Sequence, residues 1–278
     1  MHIQQLRNAT MVLEYAGNRW LVDPMLCRAR TLPPFRLSGR RRRNPTVELP
    51  SNTDEALAKV TSLLVTHEHP DHFDSAGVRF AIERSLPVYT NRVDAAHLRG
   101  RGLDVRLLEE LGAPFTVEVV RSEHGRGAIG WIMGPVCGYV LSHPDEPTVY
   151  LTGDSILTDA VLDAIDRHEP AVIVAPAGAA NFGVGGDILF SVDELVTMAR
   201  RSKATLVCNH LEALDHCPTT REGLRERFER EGLGDRVCIP EDGERVAFEH
   251  AKSRPSPSAP RPDTARAGMQ KWITSLLA

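Results

Sequence analysis

Thr66-His67-Glu68-His69-Pro70-Asp71-His72 follows directly on Ser62-Leu63-Leu64-Val65. The apolar run reads as a buried strand, because a short unbroken hydrophobic stretch bounded by turn residues is what a two-sided sheet position requires. At its end four side chains of metal-ligand type crowd together: His67, His69, Asp71 and His72. Three imidazoles and a carboxylate at the mouth of a strand are costly unless a cation holds them, and imidazole with carboxylate suits zinc or a similar first-row ion. His67 and His69 are two apart, so an extended backbone points both to one side. Pro70 fixes its own φ and biases His69 toward an extended conformation. Asp71 and His72, past the bend, are then free to serve a second ion beside the first. A lone histidine is ordinarily a surface or satisfied core residue; the H-x-H-x-D-H order sets this cluster apart.

Working outward, ligand-type residues recur at the ends of other apolar strands. Phe115-Thr116-Val117-Glu118-Val119-Val120 runs on to His124, which Gly125 and Gly127 follow. Thr148-Val149-Tyr150-Leu151 leads into Thr152-Gly153-Asp154, and Thr205-Leu206-Val207-Cys208 into Asn209-His210. Strand ends that converge on one sheet edge would bring these residues to the first cluster. Residues 2–22 read as a three-strand meander turning at Ala16-Gly17-Asn18 and ending at Asp23-Pro24. Asp23 there either orients a ligand histidine or caps the turn. Helical patterns are expected over 54–60, 74–85, 92–100, 158–167, 192–202 and 219–231, with Ser191 and Glu194 as a capping box. The second half therefore alternates strand and helix.

Two long loops stand out. Residues 25–53 carry four prolines, Arg36 and the run Arg40-Arg41-Arg42-Arg43; the run is either a solvated charged segment or an anion funnel at a site mouth. The loop Gly178-Ala179-Ala180-Asn181-Phe182-Gly183-Val184-Gly185-Gly186 either turns flexibly or offers N–H groups to an anion. His216, six residues past His210, is a candidate substrate contact, with Glu212, Asp23 and Asn181 as further candidates at or just behind the site.

Bulk composition narrows the classes. The 278 residues are 42% hydrophobic and 25% charged, with a net charge of −4, as expected of a globular protein. Only 5% are aromatic, so an interleaved basic and aromatic surface for nucleic acid is not expected. The five cysteines include no C-x-x-C pair, which points to a reducing, cytoplasmic setting rather than a disulfide framework. No signal-peptide pattern or membrane-length apolar run is visible. Composition changes after about residue 251, so the reading is a domain over 1–250 followed by a Pro/Ser/Arg-rich linker and tail over 251–278.

The ordered set — H-x-H-x-D-H, then a Gly-flanked His, T-G-D and a strand-end His — resembles the metallo-β-lactamase superfamily over residues 1 to about 250. Arg7-Asn8-Ala9-Thr10, Leu21-Val22-Asp23-Pro24-Met25-Leu26, Arg43-Asn44-Pro45 and Asn209-His210-Leu211-Glu212-Ala213 are similar to the branch of ascorbate-6-phosphate lactonase-like hydrolases. Ser122 and Glu123 depart from the Gly and Gln usual there. The resemblance implies an α+β fold, an αββα sandwich of two mixed β-sheets with helices on the outer faces. It implies two divalent ions: His67, His69 and His124 on one, Asp71, His72 and His210 on the other, and Asp154 bridging. Zinc is favoured, with manganese or iron as alternatives. Two such ions roughly 3.5–4 Å apart share a hydroxide formed at neutral pH, and Asp71 is the candidate proton carrier. The implied activity is hydrolysis of a small, anionic or neutral ester, lactone or related molecule. A phosphodiesterase or nuclease on the same site and a non-enzymatic metal-binding protein are the competing classes.

Overall fold

The computed structural model describes residues 1–249; the linker and tail expected over 251–278 lie outside the described residues. The chain opens with β1 (His2–Arg7), β2 (Thr10–Tyr15) and β3 (Asn18–Val22), the expected meander. Then come α1 (Thr53–Ala58), β4 (Ser62–Leu64), α2 (Ser75–Glu83), β5 (Val88–Thr90), α3 (Arg92–Gly100) and β6 (Val105–Leu107). The second half carries β7 (Thr116–Glu123), α4 (Gly127–Met133), β8 (Pro135–His143), β9 (Glu146–Leu151), α5 (Asp159–His168) and β10 (Val172–Pro176). It closes with α6 (Val192–Arg201), β11 (Thr205–Asn209), α7 (Arg221–Arg230), β12 (Val237–Cys238) and β13 (Arg245–Ala247).

Two mixed sheets result. One has seven strands in the order β13-β1-β2-β3-β4-β5-β6, the other six in the order β12-β11-β10-β9-β8-β7. In the first, β13, β1, β2 and β3 pair antiparallel and β3 to β6 parallel. In the second, β9 to β12 are parallel, and β7, β8 and β9 antiparallel. Parallel neighbours need crossovers, and helices make most of them, which covers the outer faces.

Strand alternation shows the layering. Leu64 faces inward to a cluster with Met11, Trp20, Tyr139, Leu151 and Val174, drawn from both sheets. Leu63 and Val65 face outward to Leu57, Val78 and Leu98 on α1, α2 and α3. In the second sheet Val207 points inward, while Leu206 and Cys208 pack with Ile165, Leu195 and Phe228 on α5, α6 and α7. The two-residue period of a strand thus sets one apolar layer between the sheets and one under each helical face. This is the αββα sandwich.

The capping box at Ser191 and Glu194 forms as read. Helix α4 was not expected, because Gly125, Gly127, Gly130 and Gly134 argue against one. Gly130 serves close approach instead: a Cβ there would lie 2.2 Å from the Gly125 carbonyl oxygen. Among the described residues no helix is long and apolar enough to cross a membrane.

Candidate metal centre

The ends of β4, β7, β9 and β11 meet along one edge of the sandwich, where the sequence placed its ligand-type residues. They gather there in two groups: His67, His69 and His124, and Asp71, His72, Asp154 and His210. Within each group the candidate ligand atoms lie within 4.8 Å of one another. All seven side chains are buried except half-buried His69. One oxygen of Asp154 joins the groups: its Oδ2 lies 3.1 Å from His72 Nε2, 3.4 Å from His124 Nε2 and 3.6 Å from His210 Nε2. Asp71 Oδ2 lies 3.4 Å from His210 Nε2.

Each imidazole has one nitrogen held by a neighbouring group. His67 Nδ1 meets Thr66 Oγ1 at 3.0 Å, and His72 Nδ1 meets Asp23 Oδ2 at 2.9 Å. His124 Nδ1 meets the Ile188 carbonyl at 2.6 Å, and His210 Nδ1 the Cys217 sulfur at 3.5 Å. In His69 it is Nε2 that is held, 3.1 Å from the Met133 carbonyl on α4. Such partners select the tautomer and leave the other nitrogen as a lone-pair donor. The inward atoms His67 Nε2, His72 Nε2, His210 Nε2 and Asp154 Oδ1 are buried with no hydrogen-bond partner. Orphaned buried polar atoms are costly in a native protein, and cations held by the two groups would satisfy them. The donor set and the orphaned atoms therefore fit a pair of divalent ions.

Electrostatics point the same way. Burial, reinforced by His72 and His69, pushes His67 well below its ordinary value, and burial lowers His124. Burial opposes charge on His72 too, but Asp154 and Asp23 outweigh it and push that imidazole up to about 10. His210 is likewise raised, burial being overcome by Asp154 and Cys217. Burial works against the Asp154 and Asp71 carboxylates. His72 and His210 nevertheless hold Asp154 far below the usual carboxylate range, and His210 and His72 do the same for Asp71. Without a cation the site thus compensates its carboxylates with protons.

Backbone strain supports the placement. Asp23 at φ 44 and His210 at φ 57 are non-glycine residues in the left-handed region, an arrangement that persists where surroundings enforce it. Gly153 at φ 60 has the Cys137 carbonyl 2.5 Å from where a Cβ would sit, so only glycine lets Asp154 leave β9 there. Asn8 ties the loops together: its Nδ2 donates to the Asp71 carbonyl at 3.0 Å, and its own carbonyl accepts from His210 N at 2.9 Å.

A cavity of about 150 Å³ opens on the site. Its floor is His69, Asp71 and His124, with Pro70 beside them; its roof is Phe35, Phe182, Met133, Ile188 and His216. A wider hollow of about 750 Å³ lies under α4 but touches only His124 among the seven, so the smaller one addresses both groups. His216 joins the roof, and burial lowers its imidazole to about 4. The structure turns Glu212 away: its carboxylate accepts from Arg221 N and pairs with the Arg221 guanidinium. Asn181 is spent on its own loop, accepting from Gly183 N and donating to the Ala179 carbonyl. Thr66, Cys217, Phe35 and the carbonyls of Met133 and Ile188 were not singled out from the sequence; no local pattern marks a residue whose role comes from a distant partner.

A two-sheet sandwich with paired histidine and carboxylate groups along one edge defines the metallo-β-lactamase class of metal-dependent hydrolases. The chain belongs to the beta-lactamase superfamily, whose domain matches residues 18–210. Among its relatives, the UPF0173 protein YddR of Bacillus subtilis is 33% identical over 254 residues, covering 89% of this chain and 100% of that one. A UPF0173 metal-dependent hydrolase of Xanthobacter autotrophicus is 30% identical over 191 residues, 64% of this chain and 72% of the other. Among solved structures, the isothiocyanate hydrolase from Delia radicum gut bacteria matches with a TM-score of 0.83 at 33% identity, over 90% of this chain and 100% of that one. A possible metal-dependent hydrolase from Veillonella parvula matches with a TM-score of 0.82 at 30% identity, over 89% and 99%.

Proposed function

We propose that this protein hydrolyses a small, uncharged organic electrophile, with His67, His69 and His124 holding one divalent cation, Asp71, His72 and His210 a second, and Asp154 shared. All donors are nitrogen or oxygen, which suits zinc first and manganese or iron next. Bound there, the ions supply a water acidified toward neutral pH and a Lewis acid for the electrophile.

The observation that carries the substrate class is the cavity: a polar floor of candidate ligands under a roof in which no lysine or arginine takes part. The roof excludes water and orients the substrate's organic part. Asp71, which lines the cavity and belongs to the second group, is our candidate to carry a proton to the leaving group. His216, lowered to about 4 by burial, stays neutral near pH 7 and adds an uncharged imidazole to the same cavity wall.

An ester, a lactone or an isothiocyanate fits this description, and the name of the solved relative favours the last. In net terms, water bonds its oxygen to the central carbon of R–N=C=S and the C–N bond breaks. The nitrogen takes both protons and leaves as the amine, and the carbon departs as carbonyl sulfide. A phosphodiester substrate finds less support, since no residue of the run Arg40–Arg43 lines the cavity and the Arg43 guanidinium is occupied by the carbonyls of Arg30 and Thr31. The unpaired cysteines, Cys27, Cys137, Cys208, Cys217 and Cys238, support a reducing, cytoplasmic setting.

The test is metal analysis of the purified protein together with turnover on isothiocyanate, ester, lactone and phosphodiester panels. Two ions per chain and turnover of a neutral substrate are expected. Full metal loading with no turnover on any panel would leave a metal-binding protein without this activity.

A further inference from the structure

Two loops distant in sequence are knitted together above the cavity. Leu37 N donates to the Phe182 carbonyl at 2.9 Å, and Ser38 Oγ donates to the Gly183 carbonyl at 3.2 Å. Between them His216 is held by aromatic rings on two sides. Phe182 stacks on it at 5.8 Å and 9°, and Phe35 meets it edge-on at 5.3 Å and 84°. One buried carboxylate sets the Phe35 side. Asp215 Oδ1 accepts from Phe35 N at 3.0 Å and Asn44 Nδ2 at 3.0 Å, and its Oδ2 accepts from Arg42 N at 3.1 Å. Asn44 Oδ1 in turn accepts from Asp215 N at 2.8 Å. Asp215 immediately precedes His216, so one stretch fixes both the imidazole and the phenyl ring that abuts it.

We propose that Phe35, Phe182 and His216 form an aromatic clamp that selects substrates bearing a flat, uncharged arm of about phenyl size, and that Asp215 is the positioning residue that sets the clamp. The inference rests on the hydrolase reading of the same site and narrows its substrate class. Size is in keeping with it: a cavity of about 150 Å³ is the scale that holds a benzene-sized group, and this one, open on one side and walled by Phe35, Phe182, Met133 and Ile188 above its polar floor, measures about 150 Å³. Ring geometry supports it too. The exposed faces and edges of a stacked aromatic group favour another ring in offset or edge-on contact over an aliphatic chain of equal area.

The test uses the metal-loaded full chain and two readouts. The first is ¹⁹F NMR titration with 4-fluorobenzyl alcohol against 2-fluoroethanol, which needs no turnover. The second is kcat/KM for benzyl against methyl isothiocyanate. In the unaltered protein the fluorobenzyl signal broadens, fluoroethanol does not, and the benzyl substrate is preferred. Phe182→Leu keeps an apolar group but removes the flat face, and Phe182→Ala empties the site. Both are expected to lower the benzyl-to-methyl kcat/KM ratio by about tenfold, on the scale of a pocket contact. Asp215→Asn places an amide donor against a backbone donor; it should raise KM for the benzyl substrate with kcat held.

Equal loss for both substrates, or unaltered probe binding in the Phe182 variants, would overturn the clamp. Loss of probe binding in those variants, in a protein that turns over neither isothiocyanate, keeps the clamp and removes the hydrolase reading. Turnover without arm preference does the reverse.

Discussion

Replacing Asp23 by asparagine tests the centre from behind, at a residue assigned no contact with a cation. Asp23 Oδ1 accepts from Thr66 N at 2.7 Å, and its Oδ2 accepts from Thr66 Oγ1 at 2.8 Å and from His72 Nδ1 at 2.9 Å. The Thr66 hydroxyl, having given its proton to Asp23, can only accept from His67 Nδ1, 3.0 Å away. One carboxylate therefore sets the tautomers of two histidines, one in each group. An asparagine has a single acceptor oxygen. With that oxygen toward Thr66 N, the amide NH₂ faces His72 Nδ1 and drives the proton onto Nε2, the nitrogen needed at the centre. Turned the other way, the NH₂ opposes the Thr66 N–H. Neither orientation serves both. Loss of such a supporting partner typically costs 10–100-fold in metal affinity, or about 1.4–2.8 kcal/mol. Competition titration with a chromophoric chelator, read at both sites, measures it, and a circular dichroism spectrum like that of the parent shows that the fold is intact. An Asp23→Asn variant that binds both ions within about twofold of the parent would refute the claim that Asp23 sets the tautomers.

Three further outcomes are expected. His69→Ala should lower both metal content and turnover; unchanged metal stoichiometry by mass spectrometry would remove His69 from the first group. Metal affinity should rise with pH between about 6 and 9, because a cation must displace the protons held on raised His72 and His210, while lowered His67 and His124 have none to release. One displaced proton gives about tenfold per pH unit and a flat profile would count against it. Gly153→Ala forces a left-handed alanine whose Cβ meets the Cys137 carbonyl. At about 1–3 kcal/mol for such strain, the melting temperature should fall by several degrees (~2–4 °C per kcal/mol), and an unchanged value would show that the loop adapts.

Much of this architecture can be read along the chain, because its determinants are local. The run Ser62–Val65 alternates between two apolar layers as a two-sided strand must, and His67 to His72 follow it directly. Likewise β7 and β11 each stop just before their own site residue, His124 and His210, and β9 leads through Thr152-Gly153 into Asp154. What escaped depends on partners far away. Asp23 could be a cap or a support until Thr66 and His72 are seen beside it. Phe35 and Phe182 lie 147 positions apart in loops without periodicity, joined through Leu37 and Ser38. Glu212 sits two residues from His210, and sequence proximity made it a candidate; Arg221 claims it. Helix α4 was hidden because its glycines disfavour helix, and the reason for one of them, the close approach of Gly130 to the Gly125 carbonyl, shows only in the folded chain.

The order of the donors along the chain has a consequence for biogenesis. His67, His69, Asp71 and His72 leave the ribosome together, yet His124, Asp154 and His210 follow only later, at the ends of strands of the other sheet. A nascent chain can clutch an ion with its first four donors long before either group is whole. On the proposed ligand assignment neither group is whole until the two sheets close on each other, which would make cation selection a late event of folding rather than an early one.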